Sequence, residues 1–212
     1  NPQLPKMIAR AHERGLFTIV STNAQALTRA LADELVKSGL NRIIVSIDGF
    51  SEESYAAYRV GGSLHNALEG LRYLREAKYR YHSSICIELQ VLRLRSNEHE
   101  WQWIRQNYRK LGATRLVFKT AQLYDYQHGH PLMPTDERYS RYKKSADGTY
   151  YLQRSRTSNL ALSLFYQSPC YRLWSGCVIT TNGEVLPCRY DKAHHHSLGN
   201  ITTQSQSTLF HS

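Results

Sequence analysis

The chain has 212 residues, of which 41% are hydrophobic and 21% charged, which is typical of an ordinary soluble globular protein with one large domain or a domain and a small appendage. The net charge of +10 comes from scattered lysines and arginines, and no apolar run approaches the length of a membrane span. We therefore expect neither nucleic acid nor a membrane as a partner. Four cysteines are too few for an extracellular disulfide scaffold and favour a metal site in a reducing compartment, by default the cytoplasm.

Helical and strand patterns alternate through the first 120 residues. The predicted strands cover residues 17–22, 42–48, 85–91 and 115–120, and Gly15 and Gly39 end the first two predicted helices. Ser63 is predicted to cap the next helix, and Asn97 with Glu100 forms a capping-box pattern before the last one. Strands separated by helices of crossover length predict a parallel sheet with helices outside.

The regular alternation stops after the fourth strand. Residues 122–167 are rich in Tyr, Ser, Arg and Gly, which predicts an irregular connector or a loop that covers substrate. We accordingly divide the chain into an α/β segment at 1–121, the connector at 122–167 and a small cysteine-containing module at 168–212.

Polar residues near the carboxyl ends of the predicted strands are the first candidates for a binding site, because parallel α/β proteins place their chemistry there. These candidates are Asn23, Ser46, Asp48, Glu88, Gln90 and Lys119. Ser46 and Asp48 alternate with Ile47, so they share one face and could hold ligand hydroxyls. Asp48 has an equally good structural use, as a cap of the Asp48-Gly49 turn.

The cysteines give a second candidate site. Cys170, Cys177 and Cys188 lie around a predicted hairpin turn at Asn182-Gly183, and thiolates grouped in this way suit a soft metal or an iron–sulfur cluster. The fourth cysteine lies between apolar neighbours on the third strand, where a buried thiol is expected.

Zinc is the alternative metal for this module. Such a site would combine Cys170, Cys177 and Cys188 with one imidazole of the run His194-His195-His196. No Cys-x2-Cys knuckle of the zinc-ribbon type is present, and three adjacent imidazoles cannot all face one ion. We predict a solvated polar turn for the histidines.

Three short segments resemble the middle strands of radical S-adenosylmethionine (SAM) enzymes. They are Thr22-Asn23, Ser46-Ile-Asp48-Gly49 and Tyr58-Arg59-Val60-Gly61-Gly62. The pattern Cys170-x12-Gly183-x4-Cys188, with Trp174 and Leu198-Gly199-Asn200-Ile201, is similar to the SPASM extension of such enzymes, which carries auxiliary clusters. The resemblance implies a partial (β/α) TIM-like barrel, a fragment of a (β/α)6 barrel, followed by a small SPASM-like β-hairpin module.

The same resemblance implies an activity and its partners. Radical SAM enzymes reductively cleave SAM to a 5′-deoxyadenosyl radical with a [4Fe–4S] cluster on a Cys-x3-Cys-x2-Cys loop. Members with SPASM extensions commonly modify peptides or other natural products. We therefore expect a [4Fe–4S] cluster and SAM as cofactors, a peptide or small molecule as substrate, and flavodoxin or ferredoxin as the reductant.

Residue roles follow from the resemblance, position by position. Ser46 and Asp48 match a motif near the ribose or amino-acid end of SAM, and Asn23 faces the same cavity. Arg59 would contact a carboxylate or fix its loop through a salt bridge. Glu88 and Gln90 lie near adenine or substrate.

The metal ligands follow in the same way. Cys170 and Cys188 match ligands of an auxiliary [4Fe–4S] cluster, with Cys177 as a third candidate.

The sequence also departs from the family pattern. No Cys-x3-Cys-x2-Cys segment occurs, and the cysteine sets that normally complete a SPASM module are absent. We expect an internal fragment of a longer enzyme or a degenerate copy, inactive alone, and we assign no catalytic residue. The alternative is a non-catalytic iron–sulfur or zinc-binding interaction protein.

Overall fold

The protein is described here by a computed structural model that covers residues 1–153, 175–188 and 191–210. The chain divides into two compact units, Asn1–Gln153 and Arg154–Ser212. Among the described residues, no helix combines the length and apolar character needed to cross a membrane.

The first unit is built on four parallel strands in the order β1-β2-β3-β4, which confirms the predicted sheet. A 3-10 turn at Arg95–Glu100 leads into the last helix. The elements in chain order are α1 (Leu4–Glu13), β1 (Ile19–Thr22), α2 (Arg29–Lys37), β2 (Arg42–Ser46), α3 (Glu52–Ala56), α4 (Leu64–Arg80), β3 (Cys86–Arg93), α5 (Trp101–Leu111) and β4 (Arg115–Thr120).

The helix boundaries have local chemical causes. The Thr28 hydroxyl accepts a hydrogen bond from the Leu31 amide at the start of α2, and Ser63 caps α4 through the Asn66 amide. Gly39 follows α2 with φ of +80°, and the His12 ring lies where a Cβ would project. The capping box predicted from Asn97 and Glu100 is wrong, because both side chains bind other groups and α5 begins after them.

The hydrophobic core lies on one face of the sheet. Alternate residues of the central strands, such as Val45 and Leu89, point into it and meet Leu71 and Leu74 of α4, all with no exposed surface. Each such side chain stabilises the fold by roughly 1.5–3 kcal/mol. The helices cover this face, so the remaining residues of each strand form the opposite face.

The first strand differs from its prediction. We expected a buried strand over 17–22, but β1 begins at Ile19 and forms one edge of the described sheet. Ile19 is 51% exposed and Phe17 is 65% exposed. An apolar run alone predicted the strand correctly but not its place in the sheet.

The segment after β4 contains a hairpin that the sequence analysis did not predict. Strands β5 (Tyr142–Lys144) and β6 (Tyr150–Leu152) pair antiparallel within the first unit. A small separate core supports this region, and its buried members are Leu94, Ala121, Leu123, Met133 and Tyr142. Residues 154–167 of the predicted connector lie outside the described residues.

The second unit contains a three-stranded antiparallel sheet. Its strands are β7 (Val178–Ile179), β8 (Glu184–Leu186) and β9 (Gly199–Asn200), followed by α6 (Gln206–Phe210). The predicted hairpin turn is confirmed: Gly183 has φ of +85°, and its amide donates to the Thr180 carbonyl.

Candidate functional site

The face of the sheet opposite the core carries most of the predicted polar candidates. In the strand register, Ser46 of β2 lies beside Gln90 of β3. Two residues earlier on each strand, Ile44 lies beside Glu88. Because side chains alternate along a strand, these four residues share the face that the helices leave uncovered.

Ser46 and Gln90 form the centre of the candidate site. Both are half-buried, and the Gln90 amide nitrogen lies 3.4 Å from the Ser46 hydroxyl oxygen, a long hydrogen bond. Asn23 is exposed just after β1, where its side-chain oxygen accepts from the Gln25 amide. Asn23 after β1, Ser46 at the end of β2 and Gln90 within β3 thus give three neighbouring strands a side chain that can donate or accept hydrogen bonds.

Asp48 has no exposed surface, and the fold uses both of its carboxylate oxygens. Oδ1 accepts from the Leu92 amide at 2.7 Å, whereas Oδ2 accepts from Arg59 Nε at 2.7 Å and lies 2.5 Å from its Nη2. The carboxylate thus connects the end of β2 to the end of β3 and to the loop that carries Arg59. Two uses of Arg59 were predicted from sequence, contact with a carboxylate of the ligand and a salt bridge that fixes its loop. The structure shows the salt bridge.

Two polar residues behind Asp48 were missed as parts of the site. The Asn97 amide nitrogen donates to the Asp48 carbonyl at 2.7 Å, and Glu100 accepts from the Phe50 amide and the Ser54 hydroxyl. Asn97 is fully buried, and Glu100 is 8% exposed. Their spacing is typical of a capping box, but these hydrogen bonds join them to Asp48 and Phe50, 49 and 50 positions away in sequence.

Gly49 is required by the same turn. A Cβ at this position would lie 2.4 Å from the Tyr55 amide nitrogen and 2.5 Å from Ser54 atoms. The turn after Asp48 therefore packs directly on α3, with no room for a side chain.

The loop after β1 is fixed to the same region through Gln25. Its amide nitrogen donates to the Tyr55 hydroxyl at 2.8 Å and to the Ser63 carbonyl at 2.9 Å, while its oxygen accepts from the Ser63 amide. Burial raises the pKa of Tyr55. These contacts hold the strand ends that carry Asn23 and Ser46 in a defined arrangement.

Glu88 lies deeper in the sheet than Gln90 and is 4% exposed. Its Oε2 is 3.4 Å from Arg115 Nε and 3.8 Å from Arg42 Nη1, so two guanidinium groups compensate its charge. Lys119 is exposed on β4, opposite Leu92.

Among the cysteines, Cys170 lies outside the described residues. Cys177 is exposed immediately before β7, and Cys188 is half-buried two residues after β8. Because Val178 pairs with Leu186, both thiols lie at the end of the hairpin away from its turn. Cys86 is half-buried rather than fully buried, and the Thr114 hydroxyl donates to its sulfur at 3.7 Å.

The histidine run forms polar contacts with β8 and with its own loop. His194 Nδ1 lies 2.7 Å from Glu184 Oε2, and the Asp191 carboxylate accepts from the amides of His195 and His196. Hydrogen bonds from Ser197 and His194 lower the pKa of Glu184. Within the ranges that the structure describes, no group of three or more His, Cys, Asp or Glu residues could hold a metal ion.

Two family models match separate segments of the chain. Residues 1–103 match the radical SAM superfamily model, and residues 170–212 match the model of SPASM, an iron–sulfur cluster-binding domain.

Two curated relatives illustrate the sequence similarity. A PqqA peptide cyclase of Granulibacter bethesdensis is 25% identical over 201 residues, a match covering 87% of this chain and 50% of the relative. An AdoMet-dependent heme synthase of Nitratidesulfovibrio vulgaris is 29% identical over 109 residues, covering 51% of this chain and 28% of the relative. The chain thus spans half or less of the length of these relatives.

Solved structures support the fold. The structure of anSMEcpe with bound AdoMet superimposes with a TM-score of 0.63 at 13% identity, covering all of this chain and 59% of that chain. The structure of anSMEcpe with bound AdoMet and Kp18Cys peptide gives 0.55 at 14% identity, covering 93% and 57%. These neighbours agree with a partial (β/α) barrel as the fold of the first unit. Residues 1–103 therefore belong to the radical SAM superfamily, and residues 170–212 belong to the SPASM domain family.

Proposed function

We propose that this chain is part of a radical SAM enzyme that modifies a peptide. When bound, SAM and a reduced [4Fe–4S] cluster would supply the radical chemistry, and residues of this chain would hold SAM in place. The observation that carries this proposal is the row of polar residues on three neighbouring strands, Asn23, Ser46 and Gln90, in the segment that matches the radical SAM family.

The predicted residues would divide into two roles. Ser46, Gln90 and Asn23 have accessible donors and acceptors, which suit the hydroxyl and amine groups of SAM. Asp48 and Arg59 bond each other, and we propose that they position the rim of the site rather than contact the ligand through free atoms.

Glu88 would lie on the floor of the cavity, beneath the bound ligand. Its two arginine partners compensate its charge, so the carboxylate fits the floor of the cavity near adenine or substrate better than a metal site.

Cys170 and Cys188 would ligate an auxiliary [4Fe–4S] cluster, with Cys177 as a third ligand. Support comes from the thiolate chemistry that such clusters require and from the common end of the hairpin shared by Cys177 and Cys188. A reducing compartment such as the cytoplasm would keep these thiols available.

A peptide substrate is proposed because the relatives include PqqA peptide cyclases and because one anSMEcpe structure holds a peptide. The electron would come from a one-electron protein reductant of the flavodoxin or ferredoxin class.

The test is the reductive cleavage of SAM by the protein encoded by the full reading frame that contains this chain. The protein would be purified without oxygen, reconstituted with iron and sulfide, reduced with dithionite and assayed for 5′-deoxyadenosine. We expect cleavage by the parent protein and a loss of at least tenfold for Ser46→Ala combined with Gln90→Leu. Ser205→Ala, an exposed serine of the second unit, is the matched control and should leave the rate unchanged.

Two outcomes would refute the proposal. Absence of 5′-deoxyadenosine from a fully reconstituted protein would favour the non-catalytic interaction protein. If the double variant cleaved SAM at the parental rate, Ser46 and Gln90 would not be part of the SAM site.

A further inference from the structure

Arg93, at the end of β3, lies among three aromatic rings on the core side of the sheet. Its guanidinium carbon is 4.3 Å from the ring centroid of Tyr139, 5.1 Å from that of Phe118 and 5.5 Å from that of Trp101. Trp101 also meets Tyr139 edge-on at 5.1 Å, so the rings hold one another around the cation. Such contacts fix the plane of the guanidinium group.

This cation has no anionic partner among the described residues. Arg93 forms no hydrogen bond or ion pair there, and its Nε atom is buried without an acceptor. A second cation, Arg105, contacts the same Phe118 ring, and its guanidinium carbon lies 5.4 Å from the ring centroid. Burial and then Arg105 lower the pKa of Arg93.

Other arginines of the first unit differ in this respect. Arg59 bonds to Asp48, and Arg138, whose guanidinium lies 5.7 Å from the same Tyr139 ring, is paired with Asp136 at 2.6 Å. Cation–π contacts are individually weak and do not replace hydrogen bonds to all guanidinium donors. A guanidinium group that has no carboxylate partner among the described residues is therefore suited to take one from a ligand.

We propose that Arg93 and Arg105 form a binding site for a carboxylate group. The terminal nitrogens of the Arg93 guanidinium carry parallel N–H donors, and two such donors match the two oxygens of a carboxylate. Arg105 is exposed and supplies the second positive charge. The carrier of the carboxylate is an acidic side chain of a peptide; this identification rests on the function proposed above, whereas the site itself does not.

The test measures ligand binding to the 212-residue chain by NMR of the arginine Nε–H groups. The chain is titrated with a blocked glutamate, its blocked glutamine analogue and inorganic phosphate. We expect the Arg93 signal, identified by its loss in Arg93→Lys, to shift saturably with the glutamate compound and not with the glutamine compound. Equal shifts with both compounds, or no saturable shift, would overturn the proposal.

Variants test the residues separately. Arg105→Gln and Arg93→Lys should each weaken glutamate binding by fivefold or more. Because Arg105 is exposed, Arg105→Gln should fold, and it tests the site even if Arg93→Lys does not fold. Arg138→Gln removes a guanidinium over the same Tyr139 ring that already has a carboxylate, and it should leave the affinity unchanged. If Arg138→Gln weakened glutamate binding equally, the loss in the other two variants would reflect the net charge of the protein and not a specific site.

The phosphate arm separates two anion chemistries, since tighter binding of phosphate than of the glutamate compound would refute the carboxylate assignment. The outcome is also independent of catalysis. Glutamate binding without SAM cleavage would contradict the proposed function alone, and cleavage without glutamate binding would contradict this site alone.

Discussion

At the residue scale, Asp48 links three parts of the candidate site. Its carboxylate bonds to the Leu92 amide at the end of β3 and to Arg59 in the loop that follows α3, and its carbonyl accepts from Asn97. The Asp-Gly pair was recognised from sequence as either a ligand or a turn cap. The observed bond to Leu92 is different, because it crosses between neighbouring strands and could not be predicted without the register.

Replacing Asp48 should destabilise the fold more than replacing an exposed carboxylate. Asp48→Asn keeps an acceptor for Leu92 but leaves the Arg59 guanidinium without its negative partner, which should lower the free energy of unfolding by about 2–4 kcal/mol. Urea unfolding of the 212-residue chain measures this change. Asp33→Asn is the control, since Asp33 pairs with the exposed Arg80 side chain and should cost less than about 1 kcal/mol. Equal losses for the two variants would contradict the role of Asp48.

At the element scale, local signals determined the strands and most helices. Glycines at 15 and 39 and the cap at Ser63 predicted helix boundaries correctly, because each acts within a few residues of its own position. The five-residue helix α3 is too short to show a periodic pattern. The hairpin after β4 escaped prediction because its strands have three residues each and are held by contacts distant in sequence.

Tyr142 should be the main support of that hairpin. It is 3% exposed, and its hydroxyl donates to the Leu123 carbonyl and accepts from the Leu123 amide. Tyr142→Phe would leave both backbone groups buried without partners, so we expect a loss of about 1–3 kcal/mol in thermal or urea unfolding. Tyr151→Phe, on the neighbouring strand and 50% exposed, should change stability by less than about 0.5 kcal/mol. If Tyr142→Phe is as mild as Tyr151→Phe, the hydroxyl does not anchor this segment.

Helix α4 should contribute to acid sensitivity through Glu69. Hydrogen bonds from Arg72 lower the pKa of Glu69 from 4.5 to about 2. A carboxylate whose pKa is lower in the folded state stabilises the fold above its unfolded pKa and loses this contribution as the pH falls towards about 2. Glu69→Gln should therefore reduce the drop in urea midpoint between neutral pH and a pH of about 3.

The matched control for this pH effect is Glu13→Gln. Glu13 is exposed at the end of α1, with Arg10 3.9 Å away, so its neutralisation should leave the acid-induced drop unchanged. The same drop in the Glu69 variant as in the parent chain would contradict the assignment.

At the scale of the whole molecule, sequence motifs predicted the family and the parallel sheet, and the structure supplied the arrangement of the site. The positions of Ser46 and Gln90 beside each other follow from strand register, which a single sequence does not encode in a local pattern. The support from Asn97 and Glu100 depends on contacts between elements far apart in the chain. Polar residues near strand ends could therefore be named as candidates from the sequence. Which of them form hydrogen bonds within the fold, and which keep donors and acceptors available for a ligand, could not be predicted.

The central claim is that this chain combines the SAM-facing part of a radical SAM barrel with thiols that hold an auxiliary cluster. Its most direct test is the iron and sulfide content of the 212-residue chain after reconstitution without oxygen. We predict roughly four iron atoms per chain, as a [4Fe–4S] cluster holds. This iron should be lost in Cys170→Ala with Cys188→Ala and retained in Cys86→Ala. Unchanged iron in the double variant, or no iron in the parent chain, would contradict the account.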